Sequence, residues 1–221
     1  MVMDQQDQSS KKWRRRKDAR PNEIVEAALD AFAEKGFAAT RLEDVAKRAG
    51  VSKGTLYLYF QDKEDLFKAV IQQGLVPNIA SAEDRLADTD GTTQELLQRV
   101  VGHFIGTVAG SKLGVIPKLV IAEAHNFPDL TKFYADEVIA RGLKIVRTIL
   151  QRGIERGEIR AIDPDVAAPV LIGPLLLLIL WKNVFEPHSS QTIDPAAYSQ
   201  TYADILLNGM LARPASEDER P

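Results

Sequence analysis

The stretch GFAATRLEDVAKRAGVSKGTLYLYFQDKEDL, residues 36–66, decides the fold of this chain. Thr40-Arg41-Leu42-Glu43 has the spacing of a capping box, so a short helix is predicted to begin at Thr40 and to end at Gly50. Ser52 and Asp62 are natural N-caps for the next two helices. A Gly-Val-Ser turn between two short helices is typical of a helix-turn-helix.

The segment before this stretch predicts one further helix and a basic arm. Pro21 suits a first helical position, Gly36 suits the end, and an apolar stripe lies between them. Residues 1–20 have almost no apolar content and are predicted to be a flexible arm. Its run KKWRRRK either follows DNA phosphates or the minor groove, or remains a solvated tail; both interpretations stay open.

The rest of the chain has helical periodicity and no alternating strand pattern. A fourth helix begins at Asp62 and weakens at Gly74 and Pro77. Further helices are predicted near residues 92–109, 113–125, 128–156, 164–185 and 195–211. The predicted fold is therefore all-α, with about nine helices. Residues 21–66 form a DNA-binding head, residues 67–213 form a body for ligand binding and dimerisation, and residues 214–221 form a disordered tail.

Charge is unevenly distributed along the chain. The net charge is −3, but residues 1–60 carry 12 Lys and Arg against 9 Asp and Glu, whereas the remainder carries 16 against 22. A basic front end on an acidic body favours contact between the head and nucleic acid.

The third helix has side chains suited to a DNA groove. Its first turn, Ser52-Lys53-Gly54-Thr55, is small or long and polar, with no acidic residue. Tyr57 and Tyr59 can offer hydroxyls to phosphates or bases, while Leu56 and Phe60 are predicted to point into the core. The major groove admits one such helix, with its N-terminal residues at the base edges.

Residues 36–66 resemble the signature of the TetR/AcrR family of transcriptional regulators in helix length, spacing and residue identity. The resemblance implies a three-helix head on a helical body that binds ligand and dimerises. By position it implies base-reading roles for Arg41, Lys53, Gly54 and Tyr57. It implies phosphate contacts for Thr40, Thr55, Tyr59 and Lys63, and the cap residue Ser52 is predicted to add another. Leu58 differs from several relatives, and its expected contact is with a thymine methyl group.

The same resemblance implies that two apolar helices near the C-terminus pair with their copies in a second subunit. The predicted interface residues are Leu175, Leu178, Trp181, Tyr202, Ile205, Leu206 and Met210. The segment AEAHNFPDLTKFY also resembles the C-terminal domain of AefR-like members. The alternative is that both helices bury against their own domain.

A ligand pocket is predicted among the middle helices, because apolar residues there are mixed with a few polar ones. The candidates are His103, Phe104, Thr107, Glu123, His125, Asn126, Phe127, Phe133, Tyr134 and Trp181. The same mixture fits an ordinary helical core, so that alternative stays open. The expected effector is a small apolar or amphipathic molecule.

These observations predict a homodimeric transcriptional repressor that leaves a palindromic operator when it binds its effector. A non-specific architectural DNA-binding protein is the first alternative. A helical enzyme is the second, although no catalytic motif is found and the three histidines have no metal-binding spacing. We expect no cofactor, no metal and no membrane contact, because the apolar run Val166–Trp181 is short and contains Pro169 and Pro174. The lack of cysteine and of a leader sequence predicts a cytoplasmic protein.

Overall fold

In the computed structural model of the chain, the backbone is described for residues 4–87 and 91–211, and the side chains for residues 21–86, 91–206 and 208–211. The helices are α1 (Asp4–Ala39), α2 (Leu42–Arg48), α3 (Lys53–Tyr57), α4 (Lys63–Gly74), α5 (Val76–Ala87), α6 (Thr93–Phe104), α7 (Val115–Glu123), α8 (Pro128–Tyr134), α9 (Arg141–Glu155), α10 (Pro164–Leu180) and α11 (Pro195–Met210). Within the described residues the β-structure is a single isolated bridge between Ile159 and Leu211. The all-α prediction is confirmed, while the predicted disordered tail lies outside the described residues.

The first helix is longer than predicted. It begins at Asp4 and contains Pro21, which was expected to be its first residue. The Lys, Arg and Gln residues of the basic arm are good helix formers, which accounts for the extension. The side chains of the arm are outside the described residues, so its flexibility and its DNA contact stay predictions. Gly36 has φ 77° and interrupts the helix where the C-cap was expected, a conformation that favours glycine.

The predicted capping box at Thr40 is wrong. Helix α2 begins at Leu42, its N-cap is Arg41, and no side chain caps it. Thr40 is buried, and its hydroxyl donates instead to the carbonyl oxygens of Gly36 at 2.6 Å and Ala31 at 3.2 Å. The C-terminal carbonyls of α1 lack partners within their own helix, so the threonine satisfies them rather than the first turn of α2.

The other predicted caps are confirmed. The Ser52 hydroxyl accepts a hydrogen bond from the Thr55 amide at 3.1 Å, and Asp62 accepts one from the Asp65 amide at 2.8 Å. Helix α5 was not predicted, because Gly74 and Pro77 indicated an end to helical structure. Pro77 instead lies in the first turn of α5, where a proline costs no hydrogen bond.

The helices of the body lie close to their predicted positions. Helix α8, a π-helical segment at Ala135–Ala140 and α9 follow without a break, as the predicted helix 128–156 requires. A second π-helical segment, Ile105–Ala109, extends α6. The chain then bends by 87° before Lys112–Glu123. This bend lets α7 turn back toward the head.

Head and body share a core. The Phe67 ring of α4 lies 5.0 Å from that of Phe32 and 5.3 Å from that of Phe37, measured between centroids. Phe127, just before α8, meets the Phe37 ring edge-on at 4.9 Å. The predicted domain boundary between residues 66 and 67 therefore falls inside α4, a helix that packs against both parts. These ring contacts join the packing of α4 to that of the head and of the segment before α8.

Candidate functional site

Helix α3 presents an exposed face made of the residues predicted to read DNA. Leu56 and Phe60 anchor the helix in the core, at 0% and 7% exposure. On the outer side Tyr57 is 45% exposed and Leu58 81% exposed. An exposed leucine beside an exposed tyrosine offers apolar contact area that no described residue covers.

The four predicted base-reading residues all lie at the surface. Arg41, Lys53, Gly54 and Tyr57 are exposed. Lys53 pairs with Glu43 of α2, and its Nζ lies 5.8 Å from the centroid of the Tyr57 ring. Lys53 donates a hydrogen bond to the Glu43 carboxylate, and this contact raises the pKa of Lys53. The structure brings these residues together, and their contacts with bases stay predictions.

Among the predicted phosphate-contacting residues, Ser52, Thr55 and Tyr59 lie beside this surface. The hydroxyls of Ser52 and Thr55 are 2.8 Å apart and form one hydrogen bond. Tyr59 is half-buried, with its ring centroid 6.5 Å from that of Phe60. Thr40 does not belong to this group, because it is 2% exposed and its hydroxyl hydrogen is used inside the head.

Lys63 is held by contacts within the head, and its predicted phosphate contact stays a prediction. Its Nζ donates to the carbonyl oxygens of Phe37 at 2.7 Å, Ala38 at 2.9 Å and Thr40 at 3.2 Å. An ammonium group has three donors, so all of them are engaged. Nζ also lies 4.7 Å from the centroid of the Phe37 ring. Lys63 closes the C-terminal end of α1, and partial burial lowers its pKa.

The body contains an apolar cavity of about 180 Å³. Its walls come from the end of α4, from helices α5 to α11 and from the two π-helical segments after α6 and α8. The lining residues are Leu75, Asn78, Ile79, Ala82, Leu97, Val100, Val101, His103, Phe104, Thr107, Val108, Pro117, Tyr134, Val138, Ile139, Gly142, Ile145, Val146, Leu171, Ile172, Leu175, Leu176, Ile179, Tyr202 and Leu206. One water needs about 10–15 Å³ on this scale, so the space is far larger than a packing defect.

Four predicted pocket residues line this cavity: His103, Phe104, Thr107 and Tyr134. The structure places the other predicted pocket residues outside this lining, so their contact with a ligand stays a prediction: Glu123, His125, Asn126, Phe127, Phe133 and Trp181. Glu123 accepts a hydrogen bond from the Asn126 amide at 3.2 Å, and Phe127 belongs to the aromatic junction with the head. Sequence reasoning missed the walls from α5 and α10. Helix α5 itself was not predicted, and α10 was assigned wholly to dimerisation.

Most polar groups of the cavity are already satisfied. Thr107 donates to the His103 carbonyl, Tyr202 to the Leu171 carbonyl, and Asn78 to the Gly74 carbonyl. The His103 Nε2 atom is buried and has no hydrogen-bond partner within the described residues. Burial raises the pKa of Tyr134, which keeps its hydroxyl neutral.

The structure places most of the predicted dimer-interface residues inside their own chain, and the interface itself stays a prediction. Leu175, Leu178, Tyr202 and Met210 are buried within their own chain. Leu206 lines the cavity, Trp181 is half-buried, and only Ile205 of the set is largely exposed, at 66%. Val166, Val170 and Leu177 form an exposed apolar row on α10, and Phe185 in the π-helical segment after it is also exposed. The sequence could not distinguish these faces, because α10 is apolar on all sides.

The segment Pro164–His188 is long and apolar enough to cross a membrane, and 28% of its most apolar window is buried. Among the described residues, no cluster of histidine, aspartate or glutamate forms a metal site. The structural features of the body are therefore an apolar cavity and an uncovered apolar helix face.

Comparison with known proteins agrees with this geometry. Residues 24–70 match the family described as bacterial regulatory proteins, tetR family, and residues 86–213 match the tetracyclin repressor-like C-terminal domain. The fatty acid metabolism regulator protein of Bacillus subtilis is 28% identical over 199 residues, covering 88% of this chain and 98% of the relative.

Solved structures show the same fold. The transcriptional regulator FadR from Bacillus subtilis, in complex with stearoyl-CoA, is 27% identical with a TM-score of 0.73, covering 85% of this chain and 97% of its own. FadR from Bacillus halodurans, at 24% identity, has a TM-score of 0.72 over 88% of this chain and 97% of its own. Both likenesses extend through the head and the body.

Proposed function

Because the chain belongs to the TetR family of bacterial regulatory proteins, we propose that it is a homodimeric transcriptional repressor that a small apolar or amphipathic effector releases from a palindromic operator. It acts on double-stranded DNA in the bacterial cytoplasm and catalyses no reaction. The observation that carries this proposal is the position of α4, which begins at the DNA-reading head and ends at the cavity.

Helix α4 offers a mechanical link between the two sites. Lys63 in its first turn holds the end of α1, and Phe67 packs against both phenylalanines of the head core. Leu75, directly after the helix, lines the cavity. A molecule that fills the cavity and displaces Leu75 therefore shifts α4. Because Lys63 and Phe67 of α4 are packed into the head, the head shifts with it. Such a ligand must bind more tightly to the displaced state, since equal affinity for both states shifts nothing.

The exposed row on α10 supports dimerisation. Val166, Val170 and Leu177 are 63%, 64% and 56% exposed and lie on one side of the helix. Ile205 of α11 adds a further exposed apolar side chain. Two copies that bury these rows against each other would form a symmetric helical interface. A dimer presents two α3 helices, which suits half-sites about 34–36 Å apart.

The length of the apolar segment Pro164–His188 raises membrane insertion as an alternative. A partner subunit accounts better for it, because the buried side of α10 contributes Leu175, Leu178 and Ile179 to the core of the same chain. Only the exposed side of α10 remains to be covered, and a second copy of the chain can cover it.

The hydrocarbon part of the relative's ligand supports an effector with an apolar body. Stearoyl-CoA, bound by the Bacillus subtilis regulator, carries a long hydrocarbon chain. The cavity of the present chain is lined mainly by Leu, Ile and Val side chains, which suit such material.

Selection of genomic DNA fragments with the purified protein at near-physiological salt tests this function. Enrichment of a short palindrome, followed by loss of binding when a cavity ligand is added, is the expected result. Uniform recovery of fragments from ligand-free protein would contradict operator recognition and favour the architectural alternative. A ligand that binds tightly and leaves operator affinity unchanged would be excluded as the effector.

A further inference from the structure

The cavity lining contains no charged side chain. Its 25 residues include neither Lys, Arg, Asp nor Glu. Arg141 directly precedes the lining residue Gly142 in sequence. Its guanidinium group pairs with Glu83 at 2.6 Å and with Glu137 at 3.4 Å. A charged group brought into this space would lose its hydration and gain no opposite charge.

Three of the five polar side chains on the walls donate to the protein itself. The donors of Thr107, Tyr202 and Asn78 point to backbone carbonyl oxygens. His103 differs, because its Nε2 is buried with no partner in the described part of the chain. A buried polar atom left unpaired costs free energy, which a ligand group recovers when it forms the missing hydrogen bond.

A second polar group lies in the same lining. Tyr134 is half-buried, and burial raises the pKa of its hydroxyl, so the phenol is neutral. An imidazole and a phenol can each donate or accept a hydrogen bond. Both groups can therefore bind an uncharged ligand oxygen, whether it is a hydroxyl that donates or a carbonyl that accepts.

The geometry points to an uncharged amphiphile as the ligand of this cavity: an apolar body that fills the Leu, Ile and Val walls, with one neutral hydroxyl or carbonyl group hydrogen-bonded to Nε2 of His103. The inference rests on the proposed function only in taking this cavity as the effector site. It separates the effector from fatty acid anions and from acyl-CoA thioesters, whose heads are highly charged.

Calorimetric titration of the full chain, without DNA, tests the inference with probes of one shape. These are 4-butylphenol, butylbenzene and 4-butylbenzoate at neutral pH, with octanoyl-CoA as a charged thioester. The phenol is expected to bind about threefold to tenfold more tightly than butylbenzene, the contribution of one neutral hydrogen bond. The benzoate and the CoA ester are expected to bind at least about tenfold more weakly than the phenol.

Substitutions assign the hydrogen bond to His103. In His103→Phe the preference for the phenol over butylbenzene is expected to disappear, while butylbenzene still binds. His103→Gln, which keeps a nitrogen near the Nε2 position, is expected to restore part of the preference. His125→Phe makes the same change at an exposed histidine outside the cavity and is expected to leave every affinity unchanged.

Several results would overturn the inference. Binding of the benzoate or of octanoyl-CoA as tight as that of the phenol would contradict an uncharged site. An unaltered phenol preference in His103→Phe would remove His103 from it, and failure of all four probes to bind would exclude this ligand class. Operator affinity is measured separately, so a phenol that binds without releasing DNA would count against the proposed release mechanism and not against the chemistry of the cavity.

Discussion

Replacement of Lys63 by methionine distinguishes a structural role for this residue from a phosphate contact. Lys63→Met keeps the apolar stem and removes three hydrogen bonds from Nζ, to Phe37, Ala38 and Thr40. Hydrogen bonds to a charged group contribute about 1.5–3 kcal/mol, and charge at a helix C-terminus about 0.3–1 kcal/mol. Because Ala38 is exposed, water replaces part of this set, so we expect a loss of about 2 kcal/mol. That loss corresponds to a fall in Tm of about 4–8 °C for a domain of this size.

Chemical unfolding at fixed protein concentration measures the loss, and Lys68→Met is the matched control. Lys68 lies on the same helix, and among the described residues its ion pair is with Glu64, at 2.7 Å. A pair with this i,i+4 spacing contributes about 0.2–0.5 kcal/mol. The salt dependence of binding to generic duplex DNA is measured in parallel. We expect its slope to be unchanged in Lys63→Met. Unaltered stability together with a slope lower by about one would refute the structural role and restore the phosphate contact.

Three further substitutions test the head, the interface and a cap. Tyr57→Ala should weaken operator binding by about 1–3 kcal/mol and relax discrimination in fluorescence anisotropy titrations; wild-type selectivity would remove this side chain from the reading surface. Leu177→Glu should convert the dimer to a monomer in sedimentation analysis, whereas Ile121→Glu, at another exposed apolar side chain, should remain dimeric; a dimeric Leu177→Glu would relocate the interface. The Thr93 amide donates to Glu158 at 2.6 Å, and hydrogen bonding to Thr93 holds the pKa of that carboxylate below its ordinary value. Its stabilisation is therefore present above the unfolded-state pKa of about 4.3 and is lost as pH falls through the lower folded-state value. Glu158→Gln should cost about 1 kcal/mol at neutral pH, and its Tm should converge with that of wild type on acidification; a gap that persists in acid would contradict the carboxylate's role.

The sequence by itself determined the all-α class and the outward face of α3. Both follow from local rules: the spacing of apolar residues sets the helices, and Ser52 and Asp62 cap them through hydrogen bonds that span only three residues. Gly36 ends a helical run for an equally local reason, its positive φ.

Tertiary structure alone decided the destinations of side chains that have more than one possible partner. Thr40 had the spacing of a cap, yet the unpaired carbonyls of α1 lie close enough to take its hydroxyl. Lys63 had the position of a phosphate contact, yet those same carbonyl ends surround its ammonium group. Hydrogen bonds between residues distant in sequence depend on how the helices pack against one another. The spacing of residues along a single helix does not determine that packing.

The cavity and the dimer face were also decided at this level. Helix α10 is apolar around its whole circumference, so its sequence could not say that Leu175 faces the cavity while Leu177 faces outward. That division follows from where α7, α9 and α11 pack against it. The same packing leaves Nε2 of His103 buried, on a residue that lines the cavity, without a hydrogen-bond partner among the described residues. Its hydrogen bonding therefore depends on the ligand that the cavity binds.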